Sequence, residues 1–140
     1  MRILADLNVL LDVAQNRIPH YSASEEVLRR ARLAEYEALI PAHAITTLHY
    51  VLRKWSGLNL AEQTICSLLA SFTVAPADSS TFRRALDLSF PDFEDAVVAA
   101  LAESSHCDYI VSRNSGDFLK SPVPAISPAQ FLELLQAQKP

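Results

Sequence analysis

Short apolar runs of strand length alternate along this chain with stretches patterned at helical spacing, and that alternation limits the fold more than any other feature. The runs are Arg2–Ala5, Ala38–Ile40, Phe72–Ala75, Tyr109–Ser112 and Val123–Ile126. Between them, Ser24–Arg32 reads as a helix capped by a serine. Ala44–Trp55 sets Ile45, Leu48, Leu52 and Trp55 at i, i+3, i+7 and i+10, one helical face. Leu60–Ala70 repeats the habit after Gly57, a stop for the helix before it. Thr81–Leu88 is a short helix, and Asp95–Glu103 is alanine-rich with Val97, Ala100 and Leu101 on one side. Pro128–Gln136 closes the chain, with Ser127 as N-cap and Pro128 in the first helical position. Strands alternating with helices specify a parallel sheet covered on both faces. The unbroken Tyr109-Ile110-Val111 suits a strand buried on both sides. The two successive helical patterns before the third run predict a helical pair in one crossover. Only two glycines occur, Gly57 and Gly116, too few for an all-β chain built on tight turns.

Composition narrows the class. The chain has 140 residues, 50% apolar and 20% charged, which excludes a disordered polypeptide and predicts a single domain over 1–140. Twelve basic against sixteen acidic residues give a net charge of −4, against a protein that coats nucleic acid by charge alone. An enzyme that meets phosphates through a metal stays open. No apolar run is long enough to span a membrane, and the N-terminus lacks a signal-peptide core. Cys66 and Cys107 build no disulfide framework, so a reducing cytosol is expected. Cys66 sits among Ile65, Leu68 and Leu69, where burial as a small hydrophobe is expected. His20, His43, His49 and His106 show no zinc-ligand spacing with either cysteine.

Ligands of an open parallel sheet bind beyond the carboxyl ends of its strands. Asp6 follows the first run, and Ser112-Arg113-Asn114-Ser115-Gly116-Asp117-Phe118 follows the fourth. Pro91-Asp92-Phe93-Glu94-Asp95 opens the alanine-rich helix that feeds the fourth. Three acidic clusters can therefore meet at one edge. Grouped carboxylates repel one another unless a cation is present. A hydrated Mg²⁺ held by a few carboxylates and substrate phosphate is the common solution, and it supports phosphodiester hydrolysis. Local readings compete at each position. Asp6 could be a turn residue or a cap, and for Asp92 an N-cap is preferred to a ligand. Glu94 and Asp95 would gain from the helix dipole without a metal. Asp117 is open between ligand and turn residue. Asp12 is expected to be solvated.

At these residues the sequence resembles the PIN-domain family, and within it the VapC-like ribonuclease toxins of toxin–antitoxin pairs. The segments are Ile3-Leu4-Ala5-Asp6-Leu7-Asn8-Val9-Leu10-Leu11-Asp12, Asp92-Phe93-Glu94-Asp95-Ala96-Val97-Val98-Ala99-Ala100-Leu101-Ala102, and Ile110-Val111-Ser112-Arg113-Asn114-Ser115-Gly116-Asp117-Phe118. The resemblance implies a three-layer α/β/α sandwich around a mostly parallel five-stranded sheet. It implies a metal-dependent endoribonuclease acting on single-stranded RNA, with Mg²⁺ or Mn²⁺ as cofactor, an antitoxin as partner and a homodimer. By the match Asp6, Asp95 and Asp117 are the catalytic and metal-holding acids, with Glu94 auxiliary. Asn8 would orient Asp6, Asn114 would lie beside the metal or its water, and Arg113 would meet a phosphate or brace the loop.

One departure stands out. The family carries a further acid early in the helix after the second strand, where this chain has Thr47-Leu48, and no carboxylate occurs from Ala38 to Leu60. His43, Thr47 and Tyr50 form a polar stripe there, with Thr47 facing the pocket or bonding locally. The alternative function follows: a catalytically weak or inactive module of the same fold that binds RNA or a protein. A receiver-like phosphoacceptor fits poorly, because Asp6 is followed by Leu7 rather than by a second acid. Arg53 and Lys54, on the same helix, are the preferred basic group for RNA over Arg29, Arg30, Arg32, Arg83 and Arg84.

Overall fold

Strand side chains alternate between two faces, and here each face is apolar, so every strand needs cover on both sides. A computed structural model describes residues 1–140. Its elements are β1 (Arg2–Ala5), α1 (Leu7–Ala14), α2 (Tyr21–Arg32), β2 (Glu37–Pro41), α3 (Ala42–Ser56), α4 (Leu58–Ser71), β3 (Thr73–Ala75), α5 (Ser79–Leu88), α6 (Phe93–Ser104), β4 (Tyr109–Val111), β5 (Ala125–Ile126) and α7 (Pro128–Ala137). A single 3₁₀ turn, Ser115–Phe118, follows β4. The five strands form one sheet, ordered β3-β2-β1-β4-β5 and parallel throughout. The expected three-layer α/β/α architecture is the one observed.

The pleat sorts the core into two. Ile3, Ala5, Ala38, Ile40 and Val111 face one side and pack with Val9 and Leu10 of α1, Val27 and Leu28 of α2, Leu48 and Leu52 of α3, and Phe131 of α7. Leu4, Leu39, Ala75 and Ile110 face the other side, under Ala85 of α5 and the whole middle of α6. In α6 every residue from Ala96 to Ala102 is buried. The one-sided stripe expected there is corrected: α6 lies between the sheet and α5, and its alanines let both approach closely. Phe131 is fully buried and meets the edge of Tyr36 at 5.0 Å between ring centroids, pinning the last helix to the sheet.

Three local expectations change. The α2 helix begins at Tyr21, not Ser24. Its N-cap His20 makes no side-chain capping bond, while Ser24 is buried and donates to Asp12 Oδ2 at 3.0 Å. Cys66 is exposed, because α4 packs chiefly on α3 and buries only Ala61 fully. Asp12 is not solvated: its exposure is 0%, and Arg113 lies against it.

Topology places the functional edge. From β1 the chain moves outward through β2 to β3 with its helices on one face. It then returns over the opposite face through α5 and α6 to β4, on the other side of β1. The carboxyl ends of β1 and β4 thus flank the point where strand order reverses, the crevice that parallel α/β sheets use for ligands.

Candidate active site

In the parallel register Ala5 pairs with Val111, so the next residues, Asp6 and Ser112, emerge side by side. Asp6 is nearly buried and caps α1, accepting from Leu7 N at 2.8 Å through Oδ1. Its Oδ2 accepts from Ser112 Oγ at 2.8 Å and from Asn8 Nδ2 at 3.4 Å. Ser112 Oγ also accepts from Asn8 Nδ2 and from Asn114 N, each at 3.1 Å. Asn8 Oδ1 accepts from Arg113 N at 3.2 Å. This lattice fixes one carboxylate and ties the loop after β4 to β1. Burial raises the Asp6 pKa, opposed by the bonds from Ser112 and Leu7, and Glu94 raises it further.

The second acid comes from the start of α6. Asp92 is the N-cap and accepts from Asp95 N at 3.0 Å, as its place after Pro91 predicts. Asp95 in the first turn is half-buried and faces a cleft of about 360 Å³. That cleft is lined by Asp92, Asp95, Asp117 and Lys120, with Phe90 and Leu119 among its walls. The Asp95 pKa is pushed up to about 6 by burial first, then by Asp92, Asp6, Asp117 and Glu94. Four other carboxylates therefore act on one side chain, although they come from three distant stretches of sequence. Asp117 is exposed, on the 3₁₀ turn that Phe118 anchors in the core, and its N–H donates to Asn114 O at 2.9 Å. Asn114 is exposed, and its side chain lines a separate depression with Arg113 and His20 rather than this cleft.

The side chain of Thr47 turns to its own helix, donating to His43 O at 3.4 Å. His43, one turn earlier on α3, places Nε2 3.7 Å from Glu94 Oε1. It also lies close enough to Asp6 for its charge to act there. Both ring nitrogens are shielded from solvent and have no hydrogen-bond partner. Arg113 does not reach into the cleft. Its Nε stands 2.8 Å from Asp12 Oδ2, an ion pair whose N–H is off the line of a hydrogen bond. Of the basic groups, Arg29, Arg30, Arg32 and Arg84 are tied up with Glu26, Glu35, Glu25 and Glu103. Arg53 and Lys54 are exposed with no acidic partner.

The sequence puts Ser112 after the fourth run and His43 in the polar stripe of α3 but gives neither a partner, misreads Asp12 as solvated, and gives no sign of Lys120. Ser112 had a usable signal, since it follows a strand that neighbours the one ending at Asp6. The donor set of Asp6, Glu94, Asp95 and Asp117 is all hard oxygen, and its crowding raises the Asp95 pKa, so a divalent cation fits its chemistry. As the side chains stand, no three His, Cys, Asp or Glu residues close around one point.

Residues 2–116 match the PIN domain family. This chain belongs to it. The match stops one residue short of Asp117, which continues the same loop. Over 137 residues, 94% of each chain, this PIN domain is 24% identical to Ribonuclease VapC1 of Aquifex aeolicus (strain VF5). Among solved structures it is similar to VapBC-1 from nontypeable Haemophilus influenzae, with a TM-score of 0.71 at 11% identity over 92% of this chain and 99% of that one. It is similar also to Mycobacterium tuberculosis VapC20, a sarcin–ricin-loop-cleaving toxin, with a TM-score of 0.64 at 10% identity over 77% of this chain and 86% of that one. At such identities the structural likeness speaks for a common fold. No helix of the PIN domain is long and apolar enough to cross a membrane.

Proposed function

We propose that this PIN domain is a divalent-metal-dependent endoribonuclease that hydrolyses phosphodiester bonds of single-stranded RNA, as the toxin of a toxin–antitoxin pair. The observation that supports the reading is that Asp95 and Asp117, from distant parts of the chain, line one cleft at the switch point of the sheet, with Asp6 and Glu94 near enough for their charges to act on Asp95. The relative named Ribonuclease VapC1 favours RNA over other phosphodiesters. Asp6, Asp95 and Asp117 would hold Mg²⁺ or Mn²⁺, with Glu94 auxiliary. The chemistry such an ion would supply is neutralisation of phosphate charge and a more acidic water nucleophile.

The chain's own residues do the rest. Ser112 and Asn8 keep the Asp6 carboxylate aimed along one direction, so little reorganisation is needed when substrate arrives. Asn114 accepts from Asp117 N through its carbonyl and supports the turn that carries that acid. Lys120 is the one basic side chain lining the cleft and meets a backbone phosphate there. Arg53 and Lys54 lengthen that contact along α3. The antitoxin and a second copy of the chain are assigned to apolar surface left open elsewhere, for which Trp55, 72% exposed, and Tyr50, 66% exposed, are the leading residues.

A second reading, a non-catalytic module, has one observation in its favour: α3 brings no carboxylate, and Thr47 bonds to its own helix. Incubation of single-stranded RNA with the purified protein separates the two. The enzyme reading expects cleavage with Mg²⁺ or Mn²⁺, arrest by chelator, and loss in Asp95→Asn. RNA left intact by folded protein at millimolar metal sustains the module instead.

A further inference from the structure

We propose that the cleft beside Asp95 takes one unpaired base of the RNA between Phe90 and Leu119, and that Asp92 selects guanine there by accepting from its Watson–Crick edge. The inference rests on the single-stranded RNA reading above and deepens it. The cleft, of about 360 Å³, is of a size that holds small molecules, and it is not acidic throughout. Beside its acids it is lined by Phe90, Pro91 and Leu119. These come from two separate segments, the link between α5 and α6 and the chain just after the 3₁₀ turn.

The two walls differ in a way that suits a flat ligand. Phe90 is fixed, because its ring meets the edge of the buried Phe118 with centroids 6.3 Å apart. Leu119 is 89% exposed and can close on a ligand without giving up a contact in the fold. Lys120 Nζ donates to Ser89 O at 3.3 Å and so ties the two segments together. Unpaired bases are held by stacking on such walls while polar groups meet their edges. Lys120, assigned the backbone phosphate, directly follows Leu119, so phosphate and base are met by adjacent residues.

The acids decide which base. Asp95 and Asp117 are assigned to the ion, and Asp92 is not. Its Oδ1 accepts from Asp95 N at 3.0 Å, which anchors the carboxylate, and its Oδ2 makes no hydrogen bond. An ionised carboxylate accepts and cannot donate. Guanine alone sets two donors side by side on its Watson–Crick edge, N1–H and the N2 amino group. Adenine and cytosine place a ring acceptor beside their amino group, and uracil places a carbonyl on each side of N3–H. A site that only accepts rejects a base whose acceptors it would leave facing its own lone pairs.

The test measures binding of short labelled oligouridylates with one central guanosine, inosine, adenosine or uridine, by fluorescence anisotropy with the full chain in chelator. Repulsion between the acids and the backbone is the same for all four, so the ratios report the base. The guanosine oligomer should bind at least about tenfold more tightly than the adenosine or uridine oligomer. Inosine, which lacks only the N2 amino group, should fall between. Asp92→Asn, which is still a good N-cap, should abolish the guanosine preference. Leu119→Ser, at an exposed position, should weaken the guanosine oligomer severalfold without lowering the melting temperature. The inosine comparison needs no variant and keeps the question answerable should Asp92→Asn fail to fold. Equal affinity for the guanosine and adenosine oligomers, absence of binding by both included, overturns the guanine site, as does a guanosine preference that survives Asp92→Asn. Neither result touches the metal reading, since no ion is present; that reading stands or falls on the cleavage assay above.

Discussion

The guanidinium of Arg113 lies 2.8 Å from the carboxylate of Asp12, which no solvent reaches. The pair joins α1 to the loop after β4, and Ser24 of α2 adds a hydrogen bond to the same oxygen. Since Arg113 N also donates to Asn8 Oδ1, the strut and the site lattice share a residue. Removing the guanidinium leaves a buried charge with one hydroxyl for company. Arg113→Ala is expected to destabilise the fold by about 3–5 kcal/mol, and Asp12→Asn in addition to recover part of that. Urea denaturation of the two single variants and the double variant measures the coupling. A strictly additive pair would remove the strut from the account.

The raised pKa of Asp95 makes a statement about stability. Its value moves from 3.8 to about 6 on folding, so the folded chain binds the proton more tightly than the unfolded chain. The favourable contribution is complete below pH 3.8 and is lost as pH rises through about 6. At pH 7 without metal, Asp95→Asn should therefore be the more stable protein. The side chain is only half-buried, so screening by solvent holds the gain to roughly 1 kcal/mol. Melting curves of both proteins from pH 3.5 to 7.5 in chelator should converge at the acidic end and separate above it. The general acid loss of the Arg84–Glu103 and Arg30–Glu35 pairs affects both alike and cancels in the difference.

A divalent ion should reverse that penalty. Mn²⁺ at about 100 times its dissociation constant is expected to stabilise the wild type by about 2.7 kcal/mol, and to do much less for Asp95→Asn. Thermal shift with and without chelator reads this directly. Equal shifts in the two proteins would place the ion elsewhere.

Lys120 is the group in the cleft suited to a phosphate. Lys120→Gln should raise KM with little change in kcat and reduce the slope of log affinity against log salt by about 1. Steady-state kinetics on one RNA at several salt concentrations separates this from a loss of fold, which would lower active enzyme without altering the salt slope.

The fold was readable where local chemistry and global packing agree. β1 falls on Arg2–Ala5 as read, and Asp92 and Ser127 cap their helices as their sequence contexts require. The parallel sheet follows from apolar runs with no polar face to turn to water. Reading failed where a residue is used by something distant in sequence. Ser24 looked like a cap because serine before a helical pattern usually is one, but its hydroxyl serves Asp12. Asp12 looked solvated because its partner Arg113 arrives only when β4 docks beside β1. Cys66 looked buried because apolar neighbours surround it, yet α4 packs chiefly on α3 and leaves that face open. Asp6 and Asp117 stand out in the sequence because they follow the first and fourth apolar runs, and Asp95 because it opens the alanine-rich helix; the fold brings Asp95 and Asp117 to one cleft. The silent nitrogens of His43 do not stand out, since only the folded packing takes their partners away.

The central claim is that the acids gathered at the ends of β1 and β4 and the start of α6 hydrolyse RNA through a shared divalent ion. Cleavage of one labelled single-stranded RNA by wild type and Asp6→Asn, side by side at saturating Mn²⁺, tests it most directly. The account predicts a fall of at least about a hundredfold in Asp6→Asn, with both proteins folded. Cleavage by Asp6→Asn at the wild-type rate would contradict it.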